Sequence, residues 1–314
     1  MNKVLALDPE AIETALDWYK IQPHIGHSKG LFLADFPRNW VLEFLHRDIN
    51  TDDWGFWDIE KLKEYLIQLK NTNTFISLNA SYDFKVEWTK NFLKLEEEKR
   101  KNCIALASRK STDNFKTLDD LGPSELNVDS TIEKRFTPSE LAEHLKLFFR
   151  NSPKIAFVDR HNYLTTANGE ESKFASFIKE LLVIIKYSKC HEIIIYAKYD
   201  PDKYPYMKSN NSLLDKLKDI FTGCVTPTYG IKYICCSEFS EIKNSSSQDL
   251  HSRKILTNNV MFILSDSIMG RTYSQSITRI ADQSIIDANL KLWIDEDHGL
   301  GVMASATYSN LLNL

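Results

Sequence analysis

The sequence predicts an α/β protein: a mixed, largely parallel sheet flanked by helices in the C-terminal part, with a separate N-terminal α/β domain before it. Three observations carry this. From residue 155 onward, short runs rich in β-branched residues alternate with segments of helical period. A polar stretch without sustained periodicity, 108–135, interrupts the chain before that pattern starts. The chain is also long enough, at 314 residues with 43% hydrophobic residues, for two modest domains with cores of their own.

In the first part, residues 11–20 read as a short opening helix, which Pro23 and the glycines Gly26 and Gly30 end. Residues 31–36 and 40–45 read as short strands about a turn at Pro37. The spacing of Ile59, Leu62, Leu66 and Leu69 predicts an amphipathic helix over 58–70. Residues 75–78 read as a strand, and 88–101 as a helix whose charge run EEEKRK is its solvated end. The polar stretch 108–135, with Gly122–Pro123, reads as a linker or a long inter-element loop between an N-terminal domain, 1–135, and a second domain, 136–314.

The second domain opens on a strong helix start. Thr137 is an N-cap, Pro138 occupies the first helical position and Glu140 completes a capping box, with Leu141, Leu145 and Phe148 on the buried face. Strands over 155–158, 192–196 and 231–239 alternate with helices over 174–187 and 212–221. That alternation implies crossover connections and parallel pairing. A fourth strand is expected over 260–264, a helix over 276–288 and a short strand over 290–294, followed by a weakly patterned tail.

Composition narrows the function classes. A net charge of -4 argues against a protein that coats nucleic acid by bulk electrostatics, while leaving room for a local basic groove. Five cysteines without a CxxC pair argue against a disulfide framework or a zinc site, and Cys235 and Cys236 sit in an apolar run as buried thiols. The absence of a signal-like or membrane-spanning run leads to the expectation of a cytoplasmic protein without membrane insertion. No glycine-rich phosphate loop and no GxSxG elbow is present, and no cofactor is expected.

The stretch with the most chemistry is 250–267, LHSRKILTNNVMFILSDS. His251, Arg253 and Asn258 precede an apolar run, an arrangement suited to anion binding or phosphoryl transfer, since imidazole serves as nucleophile or acid and a guanidinium holds phosphate. A solvated loop leading into a core strand is the alternative. Asp159, Arg160 and His161 end the strand 155–158, where sites of parallel sheets collect, and could meet the His251 loop. His27-Ser28-Lys29 with Asp35 is a weaker second copy, and His24, His27 and Asp35 a weak metal site; His191 reads as structural. Lys198, Lys203 and Lys208 lie among Tyr196, Tyr199, Tyr204 and Tyr206, which suits either stacking on a single strand or a solvated loop.

His251-x-Arg253-x4-Asn258 followed by an apolar strand resembles the phospholipase D-like superfamily, whose motif is His-x-Lys followed by Asp, a strand and Gly-Ser. It resembles most a divergent branch that reads His-Asp-Arg, an apolar pair, Thr and Asn; here His251, Ser252, Arg253, Leu256, Thr257 and Asn258 hold those positions. The resemblance covers roughly 153–270. Arg253 stands for the usual Lys, Asn258 for the Asp, and Ser265–Asp266 for Gly-Ser.

In that family two motifs meet across a pseudo-twofold axis, one histidine forming a phosphohistidine and the other protonating the leaving oxygen, without a metal. One copy per chain would then require a homodimer. The resemblance therefore implies two readings. The first is a catalytically divergent module that binds a protein partner or nucleic acid in a bacterial, phage-defence type assembly. The second is a metal-independent phosphodiesterase, most naturally a nuclease. In it His251 is the nucleophile, His161 a further catalytic candidate, Arg253, Lys254 and Arg160 are phosphate ligands, and Asn258 is a supporting amide. The loss of the Asp at position 258 favours the first.

Overall fold

The computed structural model describes residues 2–47, 54–101, 103–107, 115–122, 124–186, 188–224, 230–236, 253–265, 268, 275–280, 282–295 and 301–309. The chain divides into two compact units, Met1–Asp129 and Ser130–Leu314. Among the described residues no helix is long and apolar enough to cross a membrane.

The first unit is built on four strands, β1 (Lys3–Leu7), β2 (Leu31–Asp35), β3 (Phe75–Ser77) and β4 (Cys103–Leu106), in the order β3-β2-β1-β4. Every pairing is parallel, so helical connections must return the chain. These are α1 (Ala15–Ile21), α2 (Trp40–His46), α3 (Phe56–Asn71), α4 (Trp88–Leu93) and α5 (Glu97–Lys101). The N-terminal α/β domain expected from the sequence is thus present, with corrections. Residues 40–45 are helical, not a strand: Trp40, Val41 and Phe44 share the buried face, and the Asp35 carboxylate accepts the Trp40 N–H at 2.9 Å in the first turn. The helix expected over 88–101 is interrupted after Leu93 and resumes at Glu97.

The second unit holds β5 (Thr131–Lys134), α6 (Pro138–Arg150), β6 (Lys154–Val158), α7 (Lys173–Ile185), β7 (Glu192–Lys198), α8 (Asn210–Phe221) and β8 (Gly230–Cys236). It continues through β9 (Arg253–Thr257), β10 (Met261–Leu264), β11 (Gln275–Ile280), α9 (Gln283–Trp293) and β12 (Val302–Ser309). The strand order is β12-β8-β7-β6-β9-β10-β11-β5. Phe157 of β6 meets Phe149 of α6 and Phe174 and Phe177 of α7 on one face. Ala156 and Val158 pack on the other face with Ile286 and Trp293 of α9. The Thr137 capping box opens α6 as predicted.

The sheet is mixed, but not largely parallel. β6–β7 and β7–β8 are parallel, while β9, β10, β11, β5 and β12 all pair antiparallel. For β9 and β10 the reason is loop length: three residues join them, enough for a hairpin and far too few for a crossover. The helix expected over 276–288 and the strand over 290–294 are also corrected. Residues 275–280 pair with β10 as β11, and Asp282 then accepts the Ser284 and Ile285 N–H groups and starts α9, which absorbs Leu290–Trp293.

The boundary falls between Asp129 and Ser130, six residues before the expected one at 135. Nor is 108–135 a plain linker. Leu118 and Leu126 are buried in the first unit's core, Lys3 Nζ donates to the Glu125 carbonyl at 3.0 Å, and Thr131–Lys134 pairs with β11. Residues 108–114 and 123 lie outside the described residues.

Candidate functional site

The site forms where β6 ends and β9 begins. The antiparallel register sets Val158 opposite Lys254, so the next residues outward, Asp159 and Arg253, are cross-strand neighbours. Arg253 Nε lies 3.5 Å from Asp159 Oδ2, and its Nη1 donates to the Ser265 carbonyl at 2.8 Å. Asp159 is 4% exposed and its other oxygen accepts the His161 N–H at 2.9 Å. One carboxylate thus positions both a guanidinium and the turn that carries a histidine.

Arg160 Nε donates to His161 Nε2 at 2.9 Å. That bond needs an unprotonated Nε2, so the imidazole is neutral with its proton on Nδ1. The pKa agrees in direction: burial lowers it, Asp159 opposes, and Arg160, Arg253 and Lys203 lower it further. These four groups therefore place three cations around one neutral imidazole.

The turn is held firmly. Asn162 donates to the Tyr196 carbonyl at 3.1 Å, the Tyr233 hydroxyl donates to the Asn162 carbonyl at 2.6 Å, and the Leu164 N–H donates to the Tyr206 hydroxyl at 3.1 Å. Tyr163 stacks on Tyr204 with centroids 4.0 Å apart, and Lys203 Nζ sits 5.5 Å from the Tyr204 ring centre. Burial raises the Tyr163 hydroxyl pKa, with Tyr204, Asp200 and Asp159 adding to it, which keeps this phenol neutral.

The expected site residues separate into two groups. Asp159 brings Arg253, the first residue of β9, beside the turn that carries Arg160 and His161, while the loop before β9 lies outside the described residues. Lys254 and Asn258 do not join them, and both assignments are corrected. Lys254 is next to Arg253 in an extended strand, so it points to the opposite face. There it is 5% exposed and donates to Asn289 Oδ1 at 3.0 Å, out of reach of a phosphate at Arg253.

Asn258 is separated from Arg253 by the length of β9, roughly 16 Å at the usual rise of a strand. Its Oδ1 accepts the Lys154 N–H at 3.0 Å, a bond that ties the β9–β10 turn to the start of β6. His251, Ser252 and Asp266 lie outside the described residues.

The weaker candidates resolve as well. His27 is buried, donates from Nε2 to the Thr72 carbonyl (2.8 Å) and meets Phe32 edge-on. Burial pushes its pKa down to about 4. Asp35 instead serves the Trp40 N–H, and among the described residues no group of three or more His, Cys, Asp or Glu is placed to hold a metal. In the lysine–tyrosine stretch, Tyr196, Tyr204 and Tyr206 are buried and the lysines exposed, so those rings offer no face for stacking a strand.

Asp159 is the residue of this cluster that the sequence places at the strand end without indicating a role. The available signal was an acid directly after an apolar strand, followed by Arg-His. No protein-family model matches the chain, and no curated protein matches it.

Proposed function

We propose that the second unit is a divergent phospholipase D-like module that binds the phosphate backbone of nucleic acid without cleaving it. The observation that carries the reading is the split of the motif. Arg253 pairs with Asp159 at the strand ends, beside the bonded Arg160 and His161, while Lys254 and Asn258 face elsewhere. Arg253, oriented by Asp159, and Arg160 supply N–H groups to phosphoryl oxygens, and the neutral His161 adds an Nδ1–H donor. Lys203 brings a further positive charge to the same end.

A binding role places few demands on geometry beyond converging donors. Cleavage additionally needs a nucleophile and a proton donor on opposite sides of phosphorus. The bacterial, phage-defence type assembly and its protein partner are part of this proposal through the family resemblance alone. A second reading draws on one observation. His161 is a neutral imidazole ringed by cations, chemically competent for phosphoryl transfer, and a homodimer pairing His251 across a twofold axis would complete that chemistry.

Fluorescence anisotropy of a labelled single-stranded oligonucleotide tests the binding reading. Arg253→Ala and Arg160→Ala are expected to weaken binding and flatten its salt dependence, by a slope of ~0.7 for each phosphate contact removed. Asn258→Ala is expected to leave affinity unchanged. Equal affinity for Arg253→Ala and the parent protein would refute the site. Cleavage that persists in chelator and disappears in His161→Ala would select the phosphodiesterase.

A further inference from the structure

The first unit contains a cavity of about 470 Å³ at the carboxyl ends of β1 and β2, the edge of a parallel sheet where ligands are bound. Asp8 and Glu10 follow β1 into it, Glu43 and Arg47 enter from α2, and Tyr82 and Phe84 form a wall from the segment before α4. Its volume is that of a small-molecule site and far exceeds a bare ion.

The charge of this cavity is lopsided. Four carboxylates line it, from Asp8, Glu10, Glu43 and Glu87, against the cations of Arg47 and Lys85, and Glu87 is paired with Lys90 at 3.3 Å. Arg47 offsets part of this charge, since Glu10 and Asp8 are its nearest acidic influences, while its guanidinium donates to the Pro9 and Ile12 carbonyls and lies 4.1 Å over the Phe44 ring. Asp8, Glu10 and Glu43 act together on one point, the Tyr82 hydroxyl. Burial raises its pKa to about 12, with those three carboxylates adding to the rise. Beside it, Tyr82 and Phe84 meet edge to face with centroids 5.0 Å apart, and Phe84 is 67% exposed although its ring is large and apolar.

We propose that this cavity binds a small organic cation, an aliphatic ammonium or guanidinium. The charged head lies against Asp8, Glu10 and Glu43, and its methylene chain runs along Tyr82 and Phe84. Carboxylates neutralise the head while aromatic faces attract it through their quadrupole, a pairing that anions and neutral ligands cannot use. A phosphorylated ligand would face the same carboxylates unfavourably. A metal ion alone does not fit, because these acids are not grouped closely enough to coordinate one. The site is independent of the nucleic-acid reading of the second unit.

Isothermal titration of the full chain with agmatine and with spermidine tests this, with Nα-acetyl-arginine amide representing a peptide-borne guanidinium. Saturable, salt-sensitive binding of at least one of the three is expected. Glu43→Gln and Phe84→Ala, both away from the fully buried core, are expected to weaken it about tenfold or more. Glu143→Gln, on α6 of the other unit, is expected to leave it unchanged. Matched thermal unfolding of each variant shows that the fold is retained. The free amines against the peptide amide distinguish a metabolite from a protein partner. Failure of all three cations to bind at millimolar concentration, binding indifferent to Glu43→Gln and Phe84→Ala, or preference for AMP or adenosine would each overturn the proposal.

Discussion

Replacing His27 by Gln is expected to make the first unit less sensitive to acid, and the size of the effect follows from burial. His27 is 4% exposed, packed edge-on against Phe32 and bonded to the Thr72 carbonyl. Burial lowers its pKa from 6.5 in the unfolded chain to about 4. The folded state therefore binds its proton later than the unfolded state as pH falls. Stability from this group is fully present above pH 6.5 and is lost as pH drops toward 4. Linkage gives a loss of about 2 kcal/mol between pH 7 and 5, rising to about 3 kcal/mol at pH 4.

Urea unfolding followed by tryptophan fluorescence reads mainly the first unit, because Trp18, Trp40, Trp54, Trp57 and Trp88 lie there and only Trp293 in the second. His27→Gln keeps an N–H donor for Thr72 and removes the titration. Its stability is expected to change about 2 kcal/mol less than that of the parent protein over pH 7 to 5. Identical pH dependence in the two proteins, or an NMR titration of His27 near pH 6.5, would refute the reasoning. The second outcome would also revive His27 as a catalytic candidate.

Three further outcomes are expected. Asn258→Ala should lower stability of the second unit by about 1–2 kcal/mol in chemical denaturation, through the bond lost to Lys154 N–H, with oligonucleotide affinity intact. Asn289→Ala should destabilise more than Lys254→Met, because it strips the acceptor from a buried amine, and the double variant should recover part of the loss in a thermodynamic cycle. Limited proteolysis should cut first near the exposed Asp129–Ser130, and mass spectrometry should find Leu118–Leu126 retained on the N-terminal fragment.

Elements whose signal is local were legible in the sequence. The Thr137 box, the apolar stripe of α3 and the alternation of β6, α7, β7, α8 and β8 all depend on neighbours within a few residues. β1 carries the same kind of signal in Val4–Leu7 before Asp8–Pro9. The rest depended on partners distant in sequence. Residues 276–280 tolerate helix or strand until β10 and β5 offer hydrogen bonds on both sides. Trp40–Phe44 becomes a helix because its buried face has the Leu7 carbonyl and the first core to meet.

The motif at 253–258 shows the same division within the site. Its residues fit phosphate chemistry by type, yet strand alternation turns Lys254 away from Arg253 and extension carries Asn258 to the far end of β6. Asp159 and Arg253 are 94 positions apart in the chain, and only the antiparallel register of β6 and β9 makes them neighbours. The carboxylate and aromatic residues of the first unit's cavity are scattered over Asp8–Thr89 and share no motif. Side-chain types and local periodicity are properties of the sequence itself, whereas which charges meet is decided by the pairing of remote strands.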